Sequence, residues 1–254
     1  MSPAIVRVIR LQLPAVFMLS MLVVGSSEAR ASTISLDRQS FEAQLISIIV
    51  DDYSSPGYFH GNLTDLPIFD RFSDAAMSAV LGETVYQTTG WVDSDMVSNP
   101  DASANRAYCA GCNGSFLLDF TQTSVGSSQG VFGVGFDMIR NYLLPSDVSP
   151  LPPGTLGYHA FVTFGDGSAA DFVLPLADQY TVQSFWGITS PDLVRTIHIG
   201  LANGGVTQTS AFIMDNLTIG AQAPEPTTVV LVGGGLGCAW LRARRVTVRR
   251  KRHS

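Results

Sequence analysis

Lysine is all but missing from this chain: across 254 residues it occurs once, at Lys251. Between Ser32 and Pro226 the only basic side chains are Arg38, Arg71, Arg106, Arg140 and Arg195. They face 20 of the 21 acidic residues, a net charge of −15 that the whole-chain value of −6 conceals. So acidic a segment excludes nucleic acid as a partner, because phosphate binding needs clustered Lys and Arg to release counterions. Phosphate-loop (GxxxxGK) and DxDxDG calcium-loop patterns are missing, and no serine nucleophile elbow is expected. The glycines of GVFGVGF sit inside a strand pattern and do not open a helix, so no dinucleotide site is expected. Four histidines, His60, His159, His198 and His253, are too scattered to give zinc-binding spacing. Nothing here nominates a catalytic set, and the chain is expected not to be an enzyme.

What is present begins at the N-terminus. Arg7 and Arg10 precede a nearly unbroken apolar run, Leu11 to Gly25, and Ala29-Arg30-Ala31 supplies a small-x-small cleavage pattern. Residues 1–31 therefore predict a helical secretory signal peptide. The run falls short of the ~20 residues that a membrane span needs. About 195 residues follow before the last stretch, enough for one domain, 32–220, with a sizeable core.

Within that domain, Asp37 is a helix-cap candidate ahead of Phe41, Leu45 and Ile48, which predicts a short helix over 38–45. ISIIVDDY then predicts a strand, and ETVYQTTGWV contains another. SSPGYFHGNLTDLP and DSDMVSNPDASANRAY read as loops. From Gly114 onward SFLLDFT, GVFGVGFDM, QSFWGITS, VRTIHIGLA and SAFIMDNLTIG give strands with one buried face. YHAFVTFGDGSAADFVLPL predicts a hairpin turning at Gly165-Asp166-Gly167. Short strands, frequent turns and little helix indicate an all-β, antiparallel β-sandwich.

Cys109 and Cys112, spaced as CxxC in an exported segment, are most simply a structural disulfide. A metal half-site and a redox centre are the alternatives, although the turn-then-strand that follows does not offer the helix N-terminus a reactive thiolate wants. No cofactor is expected: the aspartates are read first as solvated acidic loops, with a structural calcium ion as the alternative and Asp37 and Asp215 as its candidate ligands if the first and last elements are neighbours. Trp91, Trp186, Tyr158 and Tyr180 are candidates to stack on sugar rings. Sequons at Asn62, Asn113 and Asn216 matter only in a glycosylating route.

The chain closes with Pro224-Glu225-Pro226, an apolar glycine-rich run and a burst of arginines. As a helix, Thr227–Leu241 would reach about 22 Å, short of the ~30 Å hydrocarbon core. It is read as a short, marginal transmembrane segment, 227–241, preceded by a linker, 221–226. The basic tail 242–254, led by Arg242, Arg244 and Arg245, would stay in the cytoplasm by the positive-inside rule. The prolines on either side hold Glu225 in an extended, accessible segment.

This order closely resembles the PEP-CTERM sorting signal of exported bacterial proteins, with Pro224, Glu225 and Pro226 as the signature. The resemblance covers about the last 30 residues, and the basic extension after Leu241 is longer than the common form. It implies an exosortase as partner, transient residence in the inner membrane, cleavage near the motif, and transfer to the cell surface or extracellular polysaccharide of a Gram-negative bacterium. DRQSFEAQL, GVFGVGFDM, VTFGDGS, FWGITSPDLVRTIHIG and AFIMDNLTIG are also similar to lectin-like jelly-roll domains, which implies that fold and a carbohydrate-binding or adhesive role. A polysaccharide hydrolase or a CxxC redox protein is the competing expectation.

Overall fold

The computed structural model describes residues 31–59, 68–98, 106–112, 114–140, 157–175, 184–202, 206–208 and 212–224. Mostly antiparallel β-sheet with few helices, it is an all-β domain. β1 is Thr33–Ser35 and β2 is Leu45–Asp51, with helix α1, Arg38–Glu42, between them. β3 (Phe69–Phe72), α2 (Asp74–Ala79), β4 (Val85–Thr88), β5 (Asp95–Ser98) and β6 (Tyr108–Ala110) follow. The remainder is β7 (Phe116–Asp119), β8 (Val131–Arg140), β9 (Tyr158–Phe164), β10 (Ala169–Val173), β11 (Ser184–Leu201) and β12 (Ile213–Gln222).

All twelve strands join one hydrogen-bonded sheet in the order β10, β9, β11, β8, β12, β6, β5, β3, with β1, β2, β4 and β7 branching from it. β11 organises this arrangement. Its first half, Ser184–Thr189, pairs with β8 and takes β1 on its other side. Its second half, from Val194, pairs with β9 and with β7. The exchange of neighbours happens at Pro191-Asp192-Leu193, where proline cannot donate to a ladder and Leu193 has a φ of 60°, and the register with β9 shifts just beyond, between Val194 and Thr196. The first strands of the domain are completed by its last ones: β1 lies on β11, and β2 pairs along β12.

One large apolar cluster fills the interior, and aromatic rings dominate it. Trp186 and Phe136 have centroids 5.4 Å apart, and Phe212 sits 5.4 Å from Tyr158 and 5.9 Å from Phe116. Each such ring contributes roughly 1.5–3 kcal/mol by burial. Tyr158 and Trp186 belong to this core, at 0% and 1% exposure, so neither is available to stack on a sugar. Tyr180 lies outside the described residues.

Several sequence expectations are met and others corrected. The hairpin turns at Gly165-Asp166-Gly167, where Gly167 adopts a φ of 86° and Phe164 and Ser168 close the loop. Asp37 does cap α1, accepting from the Ser40 backbone at 2.7 Å, but the helix stops at Glu42. Leu45 begins the strand instead, because the β-branched run up to Asp51 finds partners along β12. The segment read as a polar loop after Trp91 contains β5, whose Met96 and Val97 are buried between β3 and β6. QSFWGITS and VRTIHIGLA are one continuous strand, β11. No helix among the described residues is long and apolar enough to cross a membrane. The signal segment and the tail from Glu225 onward lie outside the described residues.

Candidate functional site

Five strands run side by side as β10, β9, the second half of β11, β7 and β4. Their registers align one cross-strand row: Asp171, Phe161, His198, Leu117 and Gln87. Alternation along β9 buries Tyr158, Ala160, Val162 and Phe164 and leaves His159, Phe161 and Thr163 half-buried on the outer face. The His159 Nδ1 meets the Asp171 carboxylate diagonally across β9 and β10. Along the face, the His159 and Phe161 rings stack with centroids 5.8 Å apart, and His198 follows 5.9 Å beyond Phe161.

Past His198 the strip continues through a hydroxyl chain. His198 Nε2 lies 3.0 Å from Thr89 Oγ1, which donates to Ser115 Oγ at 2.9 Å. Burial holds the His198 imidazole below its ordinary pKa, so it is neutral at pH 7. Two residues after Thr89, the half-buried Trp91 indole packs on the turn that joins β6 to β7. A Cβ at Gly111 would stand 2.4 Å from it, which explains glycine there. That turn carries the disulfide Cys109–Cys112, with Cα atoms 4.5 Å apart. Cys109 is fully buried, so the first sulfur of the CxxC is not the accessible one a redox centre presents.

The result is a strip of half-buried rings and polar ends that runs from Thr89 to Asp171. Ring faces of this kind stack on the C–H faces of sugars, while hydroxyl, imidazole and carboxylate groups take their OH groups. Reading the sequence for aromatics alone picks out Trp91 and misses Phe161, and it sets the histidines apart as scattered. The signal for both is the H-x-F-x-T alternation of β9.

A second cluster surrounds a bulge in β12. There the register with β8 shifts between Asp215 and Thr218, and Asn216 takes a φ of 50°. Its side-chain amide donates to Asp137 at 2.9 Å and Asp215 at 3.2 Å. Arg38 reaches the same point, 2.9 Å from Asp137 and 2.7 Å from the Thr218 hydroxyl. Burial pushes the Asp215 carboxyl up to about 6, and the Asp137 charge adds to the effect. Asp37 has a different task at the α1 cap, so the two carboxylates expected to share calcium have separate partners. Among the described residues no group of three or more His, Cys, Asp or Glu side chains is arranged to hold a metal.

Three buried carboxyls are raised in the same direction. Burial is the main cause for Asp51, Asp95 and Asp215 alike. Asp51 accepts from the Tyr58 and Tyr86 hydroxyls, and Asp95 accepts from Tyr108 at 2.6 Å while its other oxygen has no hydrogen-bond partner. Above about pH 4 the unfolded chain releases these protons and the folded chain keeps them, so stability falls as pH rises through the folded values. Asp52 and Glu83, which the fold lowers, are ionised in both states over this window. The single depressed imidazole, His198, works in the opposite sense below its ordinary value near 6.5. The melting temperature is therefore expected to be higher at pH 5 than at pH 7.5, with Asp215 alone contributing about 1 kcal/mol to the difference. Calorimetry giving an equal or higher value at pH 7.5 would contradict this.

The string Gly126-Ser127-Ser128-Gln129-Gly130 does spell the G-x-S-x-G pattern, contrary to the expectation that none occurs. Its setting is not an elbow: the segment is an exposed turn that runs into β8, whereas a nucleophile elbow leads from a strand into a helix. Of the sorting motif, Pro224 is described, and Glu225, Pro226, Arg242, Arg244 and Arg245 lie outside the described residues. Comparison with family models, with curated proteins and with solved structures returns no match to this chain.

Proposed function

We propose that the chain is an exported, non-catalytic surface or matrix protein of a Gram-negative bacterium, whose jelly-roll β-sandwich domain binds extracellular carbohydrate. In this reading an exosortase processes it at Pro224-Glu225-Pro226 after a transient stay in the inner membrane. The observation that carries the domain's role is the strip of half-buried rings, His198, Phe161 and His159, laid along one face and edged by Thr89 and Asp171. The sandwich reading is supported by β11, which changes partners in mid-strand while Trp186 in one half and Ile197 in the other enter the same core. Export and sorting rest on the sequence: a basic, apolar, small-residue leader at one end, and at the other the motif, apolar run and arginine cluster in that order.

The test is intact mass and localisation of the full-length protein in hosts with and without an exosortase, beside a Glu225→Ala variant. A shortened, surface-released form that requires both the enzyme and Glu225 is the expected result. A full-length, membrane-retained product in every host would overturn the sorting reading.

A further inference from the structure

The five strands that build the ring-lined face carry two carboxylates, Asp119 and Asp171, against one arginine, Arg195. The row through Phe161 contains no cation of its own beyond the imidazole of His198, which burial keeps neutral at pH 7. Around it lies a domain of net charge −15 without a single lysine. Such a surface repels a polyanion and concentrates cations by its long-range field. At the centre of the face, Phe161 presents a half-buried ring directly across the register from Asp171, whose side chain is 48% exposed. A ring face beside an exposed carboxylate is a recognised seat for an ammonium group, through attraction to the ring quadrupole and to the charge.

We propose that this face binds an amino-sugar polymer, seating its protonated amines between the Phe161 ring and the Asp171 carboxylate. The inference rests on the carbohydrate reading above and names its ligand class. His159 is a positioning residue here, since its Nδ1 contact fixes the Asp171 carboxylate beside the ring. Exposed Val173, opposite His159, gives an apolar margin to the same seat. Because the rings of His159, Phe161 and His198 lie side by side on adjoining strands, more than one sugar of a chain meets the face, and weak contacts add along it.

The test uses the purified full-length protein with chitosan oligomers, with fully N-acetylated oligomers of matched length, and with alginate oligomers as the polyanion. About tenfold tighter binding of the deacetylated form is expected, with a loss of about tenfold for Asp171→Asn and for Phe161→Ala. Phe161→Tyr keeps the ring and should bind as the parent does. Melting curves of each variant confirm that the fold is intact. Equal affinity for acetylated and deacetylated oligomers would overturn the amine inference while leaving carbohydrate binding in place. Binding to none of the three would remove both. Chitosan binding that both ring and carboxylate variants leave unchanged would assign it to diffuse charge, not to this face, and preference for alginate would also overturn the proposal.

Discussion

Arg106→Ala is expected to destabilise the domain by about 3–5 kcal/mol, because it leaves a buried carboxylate without its counter-charge. Arg106 and Asp70 are 4% and 2% exposed, and the guanidinium lies 2.6 Å from the Asp70 carboxylate. The same nitrogen donates to the Tyr58 carbonyl at 2.6 Å, and the group stacks 4.1 Å above the Phe59 ring. One side chain thus ties β3 to the turn at Pro56–Tyr58, and its removal strands two acceptors in a place that water does not reach. Lysine at this position would keep the charge and lose the planar stacking, so Arg106→Lys should recover only part of the stability. Chemical denaturation measures both, and a loss below about 1 kcal/mol for Arg106→Ala would show that water enters to replace the pair.

Gly130→Ala should be comparably severe for a different reason. Gly130 has a φ of 118°, a conformation that L side chains rarely adopt, and its backbone is exchanged with Ser127 across a tight turn. A Cβ there would lie 2.1 Å from the Val194 carbonyl oxygen of β11, a collision with main chain that no rotamer change relieves. Conformational strain and displacement of the strand together are expected to cost about 2–5 kcal/mol, read as a lower denaturation midpoint at unchanged slope. Gly167→Ala is the matched control, since Gly167 also has positive φ but open space around it, and it should lose only the conformational part.

Alternation made much of the sheet readable in advance. Strands such as β9, with large residues at every second position and glycine at the following turn, declare both their conformation and their buried face. β5 does not, because DMVS offers only four residues and begins with an aspartate that the fold buries whole. Its partner in that burial, Tyr108, is distant enough in sequence that no local pattern links them. Helix α2 carried a usable signal in Ser73, which caps it, and Asp74 in its first turn. The face was harder. Phe161, His198 and Asp171 become neighbours only through the registers of three strands, whereas composition singles out tryptophans and tyrosines, most of which pack inside.

The pairing of β1 with β11 and of β2 with β12 also fixes an order of events. Neither early strand can be paired until residues beyond Ser184 and Ile213 have been made, so nearly the whole domain must exist before its sheet can close. Contacts of such long sequence separation make for slow folding. As the chain lengthens, local pairs such as β3 with β5 and β9 with β10 have their partners at hand, while β1 and β2 wait for theirs. In the export proposed above, that order would delay closure of the sheet until the last strand has been made.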